Sequence, residues 1–261
     1  MAALKLYLFG TPRLERDGVD VKIPRRKALA LLAYLVATGT PHARDMLAAL
    51  FWPGHSQSAA RLALSRHLSE LNRVLPAGTP LLEPDRVAAG RSLWVDVREF
   101  VAVADAALAP VSLPALQAAA GLYTADFLAG FTLPDSPGFD DWQAYATKHL
   151  RRSAHSLLEK LAGAYAAAGD SERAIATAHG RLALDPLDED AHCALMLLYA
   201  QAGQPGAALR QYEQCRQILE DEQGAPPAAE TVELYEQIRR GEMGQVNSQL
   251  TIDNSPLTIH R

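Results

Sequence analysis

The chain is 261 residues long, 49% hydrophobic and 21% charged, with a formal net charge of −5. That balance excludes a wholly disordered chain or a fibre and leaves room for two ordinary domains. No apolar run reaches the roughly 18 residues that a membrane span needs, and Cys193 and Cys215 have no ligand-like spacing, so a membrane role, a disulfide framework and a zinc site are all unexpected and the expected location is cytoplasmic.

The charge is unevenly placed. Residues 1–100 hold 14 Lys and Arg against 9 Asp and Glu, whereas residues 101–261 hold 11 against 21. A basic segment joined to an acidic one fits a nucleic-acid-binding module attached to a part that does not bind nucleic acid.

In chain order, residues 4–9 alternate as a strand, and 13–16 and 19–23 flank Asp17-Gly18 as a two-residue hairpin. After Pro24 the period changes: Ala28, Leu31, Leu32, Leu35 and Val36 recur at helical spacing up to Gly39. A second helix is expected from about His42 to Phe51, stopped by Trp52-Pro53-Gly54, and a third from its N-cap Ser56 to about Leu75. Residues 81–95 then read as a hairpin with its tip at 83–86. Sheet, three helices and hairpin is the order of parts in a winged helix-turn-helix whose third helix enters the major groove.

From Val97 onward the signals are helical, with helices expected at 116–127 and from about Phe139, and they carry a repeat. Leu161, Tyr165, Gly169, Ala174, Ala178 and Leu184 are followed 34 residues later by Leu195, Tyr199, Gly203, Ala208, Tyr212 and Ile218. That is the tetratricopeptide period, with bulky, aromatic, turn-glycine and small residues where two packed helices need them. A further helix is expected at 229–239. The fold class is therefore mainly α: an N-terminal α+β winged helix-turn-helix (1–96), an all-α tetratricopeptide-like domain (97–240) and a linker or disordered tail (241–261).

On a helical wheel the third helix turns Leu64, Leu68, Leu71 and Leu75 inward, flanked by His67 and Val74. The opposite arc holds Ser58, Leu62, Ser65, Arg66, Ser69, Asn72 and Arg73, bordered by Arg61 and Glu70. Arginine donates bidentately to guanine, serine serves bases or backbone, and an exposed leucine meets a thymine methyl. Arg61, Leu62, Ser65, Arg66, Ser69 and Arg73 are the base-reading candidates. A polar arc taken alone favours an ordinary solvated helix face, and its place in the winged-helix order is what favours DNA. Phosphate-contact candidates are Arg25, Arg26, Lys27, Arg44, Ser58, Asn72, Arg86 and Arg91. Arg25, Arg26 and Lys27 start a helix where the macrodipole disfavours cations, so a phosphate or a nearby carboxylate such as Asp20 must compensate.

No Walker loop, HExxH, GxSxG or dinucleotide fingerprint occurs. His192-Cys193 sits on a repeat helix where packing is expected, and Asp188-Glu189-Asp190 stands where a helix should start, so capping explains it. Neither an enzyme nor a cofactor or metal is expected.

Pro24-Arg25-Arg26-Lys27 leading into residues 30–35, Leu50-Phe51-Trp52-Pro53, Ala60-Arg61 with the leucines after it, and residues 94–100 together resemble the winged-helix half of the antibiotic-regulatory-protein class of activators. Residues 123–131, Trp142, Ala174, Leu184-Asp185-Pro186, Glu189, Ala191-His192 and Tyr212-Glu213-Gln214-Cys215 resemble the bacterial transcriptional activator domain that follows it. The resemblance covers about residues 3–240. It implies binding of double-stranded promoter DNA at direct repeats, a second protomer alongside on the DNA, and recruitment of RNA polymerase through its sigma subunit. Ala63, Ser65 and Glu70 depart from the residue types common in that class, which bears on base preference. The alternative reading is a tetratricopeptide-like interaction or ligand-sensing module whose winged helix is a protein contact.

Overall fold

The computed structural model describes residues 4–75, 79, 81–82, 85–90, 92–106 and 111–242. The chain divides into two compact units, Met1–Leu157 and Leu158–Arg261.

In the first unit, β1 (Leu4–Tyr7), β2 (Arg13–Arg16) and β3 (Val19–Asp20) form an antiparallel meander. Leu4, Leu6 and Leu14 point into the core while Lys5 and Arg13 face out, the alternation of a sheet with one wet face. The third strand is shorter than its sequence pattern: only Val19 and Asp20 pair, although Val21 still donates to the Leu14 carbonyl at 2.7 Å.

Helix α1 (Arg26–Thr38) buries every residue from Ala30 to Val36 and stops at Gly39, whose φ of 64° is the left-handed cap that glycine adopts without cost. The residues expected to open the second helix, His42 and Ala43, instead form strand β4, and α2 spans Arg44–Phe51. The reason is tertiary: β4 pairs with a strand some forty residues on, which no local periodicity reveals. Helix α3 (Gln57–Val74) opens on Ser56, whose side chain accepts from the Ala59 amide.

Strands β5 (Leu81–Leu82) and β6 (Arg86–Ala88) form the wing hairpin, with β4 completing a three-stranded sheet in the order β4-β6-β5. The last expected hairpin segment does not join it. Strand β7 (Trp94–Val95) pairs in parallel with β1, so the chain returns to the first sheet, in the order β3-β2-β1-β7. The expected wing-tip residues Glu83 and Pro84 lie outside the described residues.

Helix α4 (Asp96–Ala104) starts on that sheet through a buried carboxylate. Asp96 accepts from the amides of Leu8 at 2.9 Å, Phe9 at 3.0 Å and Val97 at 2.7 Å, so one side chain satisfies two strand-end donors and a helix-start donor. Helix α5 (Leu113–Leu122) ends five residues before the expected Phe127. Tyr123 to Phe131 turn away instead: Leu128 donates to the Leu8 carbonyl at 2.8 Å, Gly10 donates to the Asp126 carbonyl at 2.9 Å, and Leu128 takes a φ of 52°. These bonds give the Leu8 carbonyl and the Gly10 amide partners that a continued helix, pairing its own backbone groups, would not supply. The start of α6 (Pro137–Ala167) adds Phe139 and Trp142, which pack on Phe51 and Tyr34.

The second unit takes up the end of α6 and continues through α7 (Ser171–Leu184), α8 (Glu189–Gln201), α9 (Pro205–Gln223) and α10 (Ala229–Arg240). The 34-residue period appears as repeated geometry. At Gly169 and Gly203 φ is 77° and 72°, and Asp170 and Gln204 donate to the carbonyls of Tyr165 and Tyr199 at 2.9 and 2.8 Å. Ala174 and Ala208 are fully buried where successive helices approach, and Leu195 packs with Ala162 and Ala178. Asp188 caps α8 by accepting from the Ala191 amide, the role expected of the acidic run. His192 bonds the Pro186 carbonyl and Gln211, so its place is in the packed interior.

The repeat glycines support a paired prediction. Gly203→Ala puts a Cβ into the left-handed region and should destabilise by about 1 kcal/mol, whereas Gly163→Ala, on the exposed side of α6 with no neighbour within 4 Å, should stabilise by about 0.5–1 kcal/mol. Urea denaturation of both variants checks the pair, and equal shifts of the same sign would contradict it.

Candidate nucleic-acid interface

Helix α3 is held by its leucines. Leu64, Leu68 and Leu71 are at most 1% exposed, and Leu75 is buried at the cap, so the helix cannot rotate without exposing them. The opposite arc is consequently committed to solvent: Ser58, Arg61, Leu62, Ser65, Arg66, Ser69, Asn72 and Arg73 are all exposed. Leu62 is 53% exposed, an apolar side chain presented to solvent.

The arc's members differ in how they are engaged. Ser65 and Ser69 donate to the carbonyls four residues back, Arg61 and Ser65, at 3.0 and 2.9 Å, which leaves each hydroxyl oxygen able to accept. Ser58 shares a 3.3 Å hydrogen bond with Ser56. Among the described residues Arg66, Asn72 and Arg73 have no side-chain partner. Arg61, in contrast, is clasped by Asp45 of α2 through two hydrogen bonds.

Arg66 and Arg73 line an open groove of about 760 Å³ with Lys22, Pro24, Arg25, Ser65, Ser69, Glu70 and Val74. Four cations face one carboxylate there, and Lys22 at the end of the sheet meander is a member that helical periodicity could not have placed. A second, smaller cleft of about 390 Å³ lies beside the first turns of α2 and α3, lined by Ala43, Arg44, Asp45, Arg61, Leu64, Ser65 and Asp85. In it the Arg44 Nε is buried with no partner among the described residues.

The basic start of α1 is compensated by two carboxylates, Glu70 and Asp135, rather than by the neighbouring Asp20. Arg25 pairs with Glu70 of α3 at 3.2 Å, and its amide donates to the same side chain. Arg26 donates to the Thr132 carbonyl at 2.9 Å and lies over the Phe131 ring. Lys27 reaches the Phe51 carbonyl at 2.5 Å and Asp135 at 2.8 Å, and its side chain is only 13% exposed. The hydrogen bond from Lys27 holds the Asp135 carboxyl below the usual carboxylate range. Arg26 and Lys27 thus tie α1 to the segment after α5, while Arg25 faces the groove. Arg86 is exposed on β6, and Arg91 lies outside the described residues.

Among the described residues no group of three or more His, Cys, Asp or Glu side chains gathers as a metal site would need. No helix among them is long and apolar enough to cross a membrane.

A winged helix-turn-helix with an open polar arc on its third helix is followed by helix pairs on a tetratricopeptide period. The chain belongs to the bacterial transcriptional activator domain family, whose model matches residues 95–239. The solved structure of Mycobacterium tuberculosis EmbR in complex with a low-affinity phosphopeptide matches with a TM-score of 0.72 at 23% identity, over 92% of this chain and 66% of that one. At that identity the likeness establishes the fold, and this chain spans slightly less than two thirds of that chain's length. No curated protein matches the sequence.

Proposed function

We propose that the protein is a sequence-specific activator that binds double-stranded promoter DNA through α3 and recruits RNA polymerase through its sigma subunit. The observation that carries this reading is the solvent-committed arc of α3, where Arg66 and Arg73 stand unpaired beside Lys22 and Arg25. Nothing in the fold's own stability requires that concentration of cations about one carboxylate, and a polyanion satisfies it.

In this reading Arg61, Leu62, Ser65, Arg66, Ser69 and Arg73 read base edges, while Arg25, Arg44, Ser58, Asn72, Arg86 and Arg91 contact phosphates, joined by Lys22. Arg26 and Lys27 serve by fixing α1 in place. Functionally the DNA-binding part is residues 1–96, the activator part 97–240, and 241–261 a linker; the site of action is the cytoplasm, on the nucleoid.

One winged helix covers about one turn of DNA, so promoter specificity requires two protomers on half-sites about 10–11 bp apart or a multiple of that. Direct repeats place both on one face by a head-to-tail contact, which stays weak until DNA aligns the partners. Binding should therefore be cooperative, and inserting about 5 bp between half-sites should abolish the cooperativity by rotating one protomer to the opposite face. Gel-shift titrations of the two duplexes check this; a two-fold dimer reading an inverted repeat would defeat it.

A further inference from the structure

Among the described residues, Arg61 is the one arginine of the base-reading candidates that a carboxylate already holds. Its Nε and Nη2 both donate to Asp45, one to each carboxylate oxygen, and Gln57 Nε2 adds a 3.4 Å contact to Oδ2 of the same group. The pair is not buried: the side chains are 55% and 49% exposed. An exposed pair of this kind contributes little to stability, and α2 and α3 are already joined by Leu47, Phe51, Leu64 and Leu68.

What the pair does decide is direction. A guanidinium is a planar fork with five N–H donors. With the Nε/Nη2 edge held by a carboxylate, the end of the fork, formed by Nη1 and the second hydrogen of Nη2, remains available. Those two parallel donors match guanine O6 and N7 in the major groove. A long side chain that otherwise samples many rotamers is fixed before binding, so less entropy is lost on contact. Asp45 sits in the first turn of α2, where the helix dipole favours a carboxylate, and the bond from Arg61 keeps its carboxyl below the usual range. It therefore remains a charged acceptor at neutral pH.

Resting on the DNA-binding reading above, we infer that Asp45 is a positioning residue for specificity: it orients Arg61 to read a single guanine from the first turns of α3, and so sharpens discrimination at one base pair. Its negative charge near DNA works against overall affinity. The opposite reading, in which Asp45 merely masks Arg61, makes a different prediction.

The experiment begins with a duplex selected from a random pool by the intact chain. Every base pair of one half-site is then replaced in turn, and wild type, Asp45→Ala, Asp45→Asn, Arg61→Ala and the Asp45→Ala/Arg61→Ala double variant are titrated against the set. Expected is that Arg61→Ala flattens the preference at one G·C pair by about tenfold or more. Both Asp45 variants should flatten the same position, leave the others intact and leave affinity for random duplex unchanged or raised. The double variant should lose no more than Arg61→Ala. Tighter binding by Asp45→Ala with the preference intact would mean masking and overturn the inference. A uniform loss at every position, with a lowered melting temperature, would make Asp45 structural and overturn it equally. Retention of no duplex by the intact chain would remove the DNA-binding reading itself, and this inference with it.

Discussion

Replacing Arg66 and Arg73 together with alanine should reduce affinity for the selected duplex by about 2–6 kcal/mol, roughly thirtyfold at the small end and beyond detection in a gel shift at the large end. Each contributes on the order of 1–3 kcal/mol if it donates bidentately to a base, and less if it only meets phosphate. Salt separates the two outcomes: removing a phosphate contact lowers the slope of log affinity against log salt by about one, whereas removing a base contact flattens preference at one position. Folding should be nearly untouched, within about 0.5 kcal/mol, because both side chains are exposed and unpaired among the described residues. A stable double variant that binds with wild-type affinity would remove α3 from the reading role.

Asp96→Ala should be the most damaging single change in the first unit, destabilising by about 3–5 kcal/mol. Three amides lose their acceptor at once, and Leu8 and Phe9 are buried away from solvent. Burial pushes the Asp96 carboxyl up from its ordinary value while those amides pull against the shift. The folded state therefore holds the proton more tightly than the unfolded chain, so the proton-linked part of this group's contribution is fully present below the unfolded pKa and falls as pH rises through the folded one, while the hydrogen bonds to the three amides remain. Asp96→Asn keeps one acceptor but aims an amide N–H at donors, and should cost roughly half as much as the alanine variant. Urea denaturation at neutral pH measures both; an alanine variant as stable as wild type would mean that the strand-end amides find other partners.

Asp96 also explains why the activator-family segment does not begin as a free-standing domain in this fold. The match to that family starts at residue 95, yet Asp96 belongs to the hydrogen-bonding of β1, and Gly10 and Leu128 make backbone bonds across the same junction. Ser136 adds a 2.8 Å bond to the Phe51 carbonyl, and Lys27 holds Asp135. The helix that carries the basic cluster is therefore fixed from behind by residues of the following segment. In the proposed DNA-binding role, such anchoring would hold the outward arc of α3 in place, as precise base reading needs.

Local pattern was enough for whatever depends on neighbours in sequence. The periodicity of α1 and α3, the cap at Ser56, the turn at Gly39 and the outward arc follow from spacing alone, because side-chain direction in a helix repeats every 3.6 residues. The 34-residue repeat was legible for the same reason, its glycines and alanines being demanded by turn and close packing within one unit. Tertiary structure decided the pairings between distant segments: His42 and Ala43 as a strand, β7 returning to β1 in parallel, α5 ending early so that Leu128 can bond Leu8. It also decided which cations are free. Arg25, Arg26, Lys27, Arg61, Arg66 and Arg73 read alike as basic letters, but Glu70, Thr132, Asp135 and Asp45 claim the first four from other elements, and of the six only Arg66 and Arg73 have no side-chain partner among the described residues. Charge reaches through space, whereas periodicity reports only along the chain.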